Sequence, residues 1–472
     1  LIYSIMKLLY ETIPSHLHIT TKYYVVIAPA LGGLIAGLIT CFIAPEVKGH
    51  GVPQVMKAML TREGRIRARV PLANIIASAV TIGSGGSAGR EGPMASIGAS
   101  MASNIARLFK MPSERVKVLI ACGAGAGIAA AFNAPLGGVF FAMEIILGEF
   151  RTRSFIPIVI STVASTSIVR VVMGDYPALG PIYYSIKSYK ELPLYVGLGV
   201  LAGIIGILEI EVLYGCEDLF EKIKVKWLSP AIGGFLLGLI ALVYPQVLGV
   251  GYGVKAIPPI SNALEDTIRQ DLDFQLMLAL LFTKIIATSL SLGSGGSGGV
   301  LSPSLFIGGM LGGVYGYIVH SLFPDLTAGY APYAIVGMAA VFAGVSRATL
   351  TTITILFEIT RDYNIILPLI LSCVIADGIV VFSNRNIYML KLIKEGLKVK
   401  IEKPVDVLDV TLVREVMKKD FVSLKKGITV REAYDIMKET GFHGFPVVDE
   451  RGRLCGLITH NEINLSLIHI SE

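Results

Sequence analysis

The chain has 472 residues, of which 53% are hydrophobic and only 16% charged, with a net charge of +6. A soluble domain carries about 25% charged residues, so this composition, with a mean hydropathy of +0.68, excludes an ordinary soluble protein and points to many membrane spans with a more polar tail. The basic residues are scattered and not interleaved with aromatics, which excludes a nucleic-acid reader.

Leu1 already lies in an amphipathic stretch, so a longer N-terminus is expected, and no cleavable signal peptide is visible. Apolar stretches then occupy about 23–43, 70–82, 94–109, 116–130, 155–173, 192–215, 228–249, 275–291, 300–320, 332–345 and 364–383. Several fall short of the roughly 20 residues that a perpendicular span needs. Such segments are expected where helices stop inside the bilayer. An all-helical architecture follows, since a barrel would need alternating strands of about ten residues.

A glycine-rich string occurs twice. Gly83-Ser84-Gly85-Gly86-Ser87-Ala88-Gly89 runs into Arg90-Glu91-Gly92-Pro93, and Gly293-Ser294-Gly295-Gly296-Ser297-Gly298-Gly299 runs into Val300-Leu301-Ser302-Pro303, 210 residues later. Irregular backbone at membrane depth is tolerated only in a protein interior or along a polar cavity. Two such breaks in matching halves point to a transport site. The repeat extends further. Asn133-Ala134-Pro135-Leu136 leads to Glu144, and Arg347-Ala348-Thr349-Leu350 leads to Glu358, with alanine and glutamate ten residues apart in both. The halves are read as about 45–215 and 228–397; spacing alone leaves open whether they are parallel or inverted.

Arg90-Glu91-Gly92-Pro93 opens an apolar helix, whose N-terminal N–H groups and positive dipole end form a ready anion site. A mobile Glu91 carboxylate would compete for the same N–H groups, which makes it a gate and, when protonated, a proton carrier. Gly49-His50-Gly51-Val52-Pro53 opens another short helix over Gln54–Leu60, and Gly299–Pro303 opens a third near Val300. Three helix starts can thus converge on one ion. Tyr388 follows the last apolar span, where its hydroxyl can donate to an anion.

These motifs resemble the CLC chloride channel and transporter family. The first family motif, Gly-Ser-Gly-Ile-Pro, matches Gly49, His50, Gly51, Val52 and Pro53. Gly-Lys/Arg-Glu-Gly-Pro matches Gly89, Arg90, Glu91, Gly92 and Pro93. Gly-x-Phe-x-Pro matches Gly299, Val300, Leu301, Ser302 and Pro303, and the chloride-coordinating tyrosine matches Tyr388. The resemblance covers the chain up to about Glu395. It implies an all-α polytopic membrane protein, an inverted repeat of tilted and broken helices over 1–397. It also implies a homodimer in the lipid bilayer, one chloride pathway per subunit and Glu91 as gate, with protons as a second substrate in coupled members.

Three departures stand out. The family's central serine is His50, so His50 is expected to make anion affinity or selectivity pH-dependent. The inner proton glutamate of coupled members falls on Ile145, which holds no proton, while Glu144 reads as a helix-packing carboxylate. The aromatic of the third motif is Leu301. The expected function is that of a voltage-gated-type chloride channel. A proton-coupled chloride/proton antiporter stays open, and so does a fluoride-selective relative. A rhomboid-like intramembrane serine protease is a remote reading, from Gly295-Gly296-Ser297-Gly298 with His320; otherwise no enzyme activity is expected.

After Glu395 lysine and glutamate rise. Residues 398–409 read as a linker, with a short helix over Val413–Met417. Thr429 and Glu432 form a capping box for a helix over Val430–Lys438. Strands are expected at Phe445–Asp449 and Leu454–Thr459 around a hairpin turn at Glu450–Arg453, followed by a helix from Asn461. The segment 410–464 resembles one truncated CBS module on the cytoplasmic side. That resemblance offers adenine nucleotide a place at Thr459 and Glu462, against a module that only aids folding. Residues 465–472 fit no amphipathic helix and read as non-native or disordered. No cofactor is required and no metal site is expected, since Cys41, Cys122, Cys216, Cys373 and Cys455 stand in no ligand array. A prokaryotic plasma membrane is the expected location.

Overall fold

The computed structural model describes residues 1–16, 23–175, 187–251, 262–397, 421–459 and 462. The chain forms two compact units, 1–401 and 402–472. In the first, helices α1 (Ile2–Lys7), α2 (Ile13–His16), α3 (Tyr24–Leu38), α4 (Val52–Thr61), α5 (Val70–Gly83), α6 (Glu91–Leu108), α7 (Ser113–Phe132), α8 (Pro135–Phe141) and α9 (Thr152–Met173) build one half. Helices α10 (Leu192–Glu221), α11 (Ser229–Ala241), α12 (Ala263–Ile268), α13 (Phe274–Gly293), α14 (Leu301–Leu322), α15 (Ala331–Ser346), α16 (Thr349–Thr360), α17 (Ile366–Phe382) and α18 (Ile387–Lys394) build the other. Among the described residues, seven helical spans are long and apolar enough to cross a membrane.

The eleven apolar stretches each coincide with a helix. Stretch 228–249 ends early, at Ala241, and a short 3-10 turn follows at Pro245–Val247. The runs after Pro135 and Thr349 become the short helices α8 and α16, too brief to be read as spans. The turn after α8, Ala142–Leu147, is π-helical and carries Glu144 and Ile145.

Glycine lets helices touch backbone to backbone, the packing that lipid-embedded helices rely on. A Cβ on Gly98 of α6 would lie 2.0 Å from the Gly123 carbonyl oxygen of α7, and one on Gly308 of α14 would lie 2.2 Å from that of Gly337 in α15. The two pairs occupy corresponding places in the two halves. The helices after them correspond too. Helix α7 stops at Asn133 and α15 at Arg347, both in the left-handed conformation (φ +56° and +54°), and α8 packs on α16. The two halves form an inverted repeat of broken helices.

In the second unit, a three-stranded sheet runs in the order β1 (Leu424–Lys425), β2 (Gly444–Val448), β3 (Leu454–Thr459), with β1 parallel and β3 antiparallel to β2. Helix α19 (Val430–Thr440) carries the expected capping box: Thr429 accepts from the Glu432 N–H and Glu432 accepts from the Thr429 N–H. Leu424, Ala433, Met437 and Phe445 form its core. The helix expected at Val413–Met417 lies outside the described residues, as do 398–409, 465–472 and nearly all of the helix expected from Asn461.

Candidate anion site

The two glycine strings meet. Gly49 N–H donates to the Gly296 carbonyl (3.1 Å) and Gly298 N–H to the Gly49 carbonyl (3.2 Å). Gly89 and Gly299 exchange both backbone bonds, at 2.8 and 2.6 Å. Two short bridges therefore hold the starts of α4, α6 and α14 together. A Cβ on Gly92 would fall 2.3 Å from the His50 carbonyl oxygen and 2.9 Å from the Gly299 Cα, and one on Gly51 would fall 2.8 Å from the Gly92 carbonyl oxygen. Only glycine allows this approach, and Gly51 also sits at φ +76°.

At none of the three starts does the N-cap side chain bond to the first-turn N–H groups. Pro53, Pro93 and Pro303 stand in the first turns, where a missing N–H is harmless. The remaining N–H groups and three dipole ends favour negative charge at the junction. Val52, Val300 and Leu301 are buried there, so the polar groups at the junction are backbone groups enclosed by small and apolar side chains.

Glu91 begins α6 and is fully buried. Its Oε1 is 4.0 Å from the Arg90 Nε, and a Cβ on Gly89 would lie 2.3 Å from its Oε2 and 2.9 Å from the Ser302 Oγ. The carboxylate is thus folded back over Gly89, beside the start of α14. Arg90 is partly exposed and also donates to the Ala131 carbonyl (3.3 Å). A negative group at this place stands where an anion would.

Tyr388 is buried in the first turn of α18. Asn386 fixes that turn: its Oδ1 accepts from the Tyr388 and Met389 N–H groups, and its Nδ2 donates to the Ser346 carbonyl (2.8 Å). The Tyr388 hydroxyl lies within electrostatic reach of both Glu91 and Glu209. His50 is buried, and its Nδ1 has no hydrogen-bond partner among the described residues. Its ring meets that of Tyr214 edge-on at 6.2 Å, and the Tyr214 hydroxyl donates to the Ile387 carbonyl. Tyr214 thereby ties His50 to the helix that bears Tyr388.

Beside α4 lies a cavity of about 300 Å³, edged by Lys57, Arg62, Arg65 and Arg67 against Glu46 and Glu395, with Ser96 and Ser100 of α6 on its wall. The basic groups outnumber the acidic ones even though Lys57 pairs with Glu395 (2.6 Å) and Arg67 with Glu46 (3.2 Å). A concave basic mouth concentrates anions. The signal in the sequence is the charge sign of 57–69, where Lys57, Arg62, Arg65, Arg67 and Arg69 face a single acid, Glu63.

Ile145 packs in the apolar core. Ser297 and His320 do not meet. Ser297 Oγ donates to Asn74 Oδ1 (3.4 Å), and His320 Nδ1 bonds the Thr327 hydroxyl (2.8 Å). They flank opposite ends of α14, about 30 Å apart at 1.5 Å per residue. The serine–histidine pairing that a protease needs is absent. In the second unit, Thr459 N–H donates to the Glu462 carboxylate (2.7 Å) and so does its hydroxyl, which holds that carboxyl below the usual range.

The sequence matches the family described as voltage gated chloride channel over residues 32–380 and the CBS domain over 413–468. It is 34% identical over 353 residues to a ClcB-like protein of Ralstonia nicotianae, covering 74% of this chain and 80% of that one. It is 33% identical over 348 residues to the H(+)/Cl(-) exchange transporter ClcA of Vibrio cholerae, covering 72% of each. Chloride channel protein CLC-f of Arabidopsis thaliana is 30% identical over 94% of this chain, which spans 62% of that longer protein. The fold matches a slow cyanobacterial Cl-/H+ antiporter with a TM-score of 0.75 and 25% identity, over 84% of this chain and 92% of that one. The chain belongs to the voltage gated chloride channel family, membrane proteins of anion transport, and carries a CBS domain after its helical unit.

Proposed function

We propose that the protein moves chloride across a prokaryotic plasma membrane, one pathway per subunit of a homodimer, with its CBS domain in the cytoplasm. The backbone around Gly49–Pro53, Arg90–Pro93 and Gly299–Leu301 holds the ion, with Tyr388 and His50 beside it, and Glu91 is the gate. The observation that carries this reading is the Glu91 carboxylate, buried at the convergence of three helix starts that attract negative charge. Chloride and carboxylate compete for one place, so the path opens when the side chain swings away or takes up a proton. The dimer reading rests on α9 and on the span Ile366–Lys394 that begins with α17, the least covered of the seven spans at 17% and 33% buried, which leave wide apolar faces for a partner and for lipid. In the CBS domain, the two bonds from the Thr459 N–H and hydroxyl to the Glu462 carboxylate support a module in which these residues aid folding.

The apolar Ile145 supports passive conduction. A second reading, proton-coupled exchange, is supported by the likeness to proteins named as exchangers and by a further buried carboxyl, Glu209, near Tyr388. The reversal potential of reconstituted protein separates the two. A value at the chloride equilibrium potential, unmoved by a pH gradient, means a channel. A value displaced by the pH gradient means exchange. No chloride current or flux at all would refute both.

A further inference from the structure

Helix α10 carries five acids in its second half: Glu209, Glu211, Glu217, Asp218 and Glu221. Glu211 pairs with Arg385, Glu217 with Lys391 and Asp218 with Lys394. Glu209 pairs with no cation among the described residues. It is 3% exposed, midway along a helix of 30 residues. Its Oε1 lies 2.6 Å from the Ser304 Oγ, and its Oε2 makes no hydrogen bond among the described residues. Ser304 stands one turn into α14, the helix whose start helps to form the anion site.

The Ser304 hydroxyl has one proton and two acceptors in reach: Glu209 Oε1 at 2.6 Å and the Val300 carbonyl oxygen at 2.9 Å. Both contacts are satisfied at once only when Ser304 donates to Val300 and Glu209 itself donates to Ser304. That requires a proton on the Glu209 carboxyl. Energetics agree, because an ionised carboxylate in a membrane interior with no cation and one empty oxygen is strongly disfavoured, whereas the neutral acid is not.

Among the described residues, the surroundings offer nothing else to compensate a charge. Helix α14 presents Ser304, and α18 presents Tyr388. Helix α13 carries Lys284, whose ammonium is taken up by the Val247 and Gly249 carbonyls at 2.9 and 3.0 Å. Helix α17 carries Asp377, bonded to Thr349 and close to Arg347. The only titratable side chain on α15 is Tyr333, stacked on Tyr195 far along the helix. The turn before α10 carries Glu191, which accepts from the Lys187 N–H.

We infer that Glu209 is a proton-binding carboxyl of the transport cycle, the residue on the second half that supplies the proton Glu91 takes up. The transfer breaks an O–H bond at Glu209 and forms one at Glu91; Glu209 then recovers its proton from water, so no other reactant is needed. The assignment rests on the exchange reading above. It explains how a pathway with Ile145 in place of a carboxylate retains an internal proton site.

The test uses the full chain in liposomes, with chloride and proton fluxes recorded together. Glu209→Gln keeps shape and hydrogen bonding but carries no exchangeable acid proton. Chloride flux should persist while chloride-driven proton uptake falls to that of protein-free liposomes, and a carbonyl stretch of a protonated carboxylic acid should vanish from the infrared spectrum. If the parent is coupled and Glu209→Gln remains coupled, the inference is overturned while exchange stands. If the parent moves no protons, the exchange reading fails and the inference falls with it. Should Glu209→Gln fail to fold, Ser304→Ala takes its place. It leaves the acid but removes its partner, so the pH profile of proton flux must shift; an unchanged profile overturns the inference.

Discussion

Glu144 and Glu358 cap each other's half of the molecule. The Glu144 carboxylate accepts from the Leu350 and Thr351 N–H groups and from the Thr351 hydroxyl, at 3.3, 2.8 and 2.7 Å, and so closes the start of α16. The Glu358 carboxylate accepts from the Leu136 and Gly137 N–H groups, at 3.1 and 2.7 Å, and closes the start of α8. The exchange is reciprocal across more than 200 residues of sequence. It explains why both acids follow their alanine by ten residues.

This makes Glu144 a structural carboxylate although it neighbours Ile145. Glu144→Ala and Glu358→Ala should each lower stability by about 1–2 kcal/mol, the worth of a helix N-cap, read as a lower thermal midpoint in detergent. The ratio of proton to chloride flux should not change in the folded fraction. A changed ratio at an unchanged midpoint would place Glu144 on the proton route instead.

Gly89 adjoins the carboxylate proposed as the gate. Its Cβ, if present, would lie 2.3 Å from the Glu91 Oε2, an overlap that the mobile end of a side chain can relieve only by leaving. Gly89 has an ordinary negative φ, so alanine is tolerated by the backbone. Gly89→Ala should therefore push the carboxylate out of the pathway and raise chloride flux at neutral pH. Glu91→Gln should do the same and also abolish the pH dependence of the flux, because it removes the charge itself. Flux measured from pH 4 to 8 distinguishes displacement from neutralisation. A Gly89→Ala protein as slow as the parent would show that Glu91 does not occlude the path.

The spans were legible because lipid leaves few choices: long apolar runs become helices, and each of the eleven stretches did. The glycine strings were legible as breaks because nothing else in a membrane needs so much unencumbered backbone. Helices α8 and α16 were not legible as spans, since Pro135–Phe141 and Thr349–Thr360 are too short to cross and owe their order to each other's glutamates. Strand β1 has two residues and exists only through its pairing with Val447 and Val448. Glu209 was hidden for another reason. A lone acid within an apolar helix is a signal in itself, but its missing cation and its bond to Ser304 are long-range facts. The convergence of Gly49, Gly89 and Gly299 was legible from three glycine-rich helix starts, each a place for negative charge, while the bridges that join them are long-range backbone bonds.

Outside the spans, Asp175 gathers three helix ends. It accepts from Arg361 at the end of α16 and from Asn133 at the end of α7 (3.0 Å), and Arg170 in the last turn of α9 stands 3.3 Å away. The Arg361 bond foremost, then Asn133, holds its carboxyl below the usual range. A carboxyl depressed by folding binds fewer protons than its unfolded counterpart. Its stabilisation is therefore full above the ordinary carboxylate value of about 3.9 and is lost as pH falls through the lower folded value. Asp175→Asn should flatten the acid side of the stability curve and change the neutral midpoint little, because the site is exposed. Thermal midpoints measured from pH 6 down to pH 3 would show it, and identical acid limbs in parent and variant would deny Asp175 this role.

His50 occupies the position where the family motif has serine, and the structure shows how an imidazole fits there. The ring turns edge-on to Tyr214, and its Nδ1 is left without a protein partner. In the tautomer with Nδ1–H, that nitrogen is a donor for an anion; burial first, and Lys391 second, disfavour a charged ring, so the donor is the neutral imidazole. A serine hydroxyl is smaller and leaves more room. His50→Ser should therefore alter the order of rates among fluoride, chloride and nitrate. A shift of roughly tenfold between two anions corresponds to about 1.4 kcal/mol, within reach of one charge-assisted hydrogen bond. Anion competition at neutral pH in parent and variant decides it. Equal selectivity would mean that the backbone N–H groups bind alone and that His50 serves only to brace Tyr214 against α18.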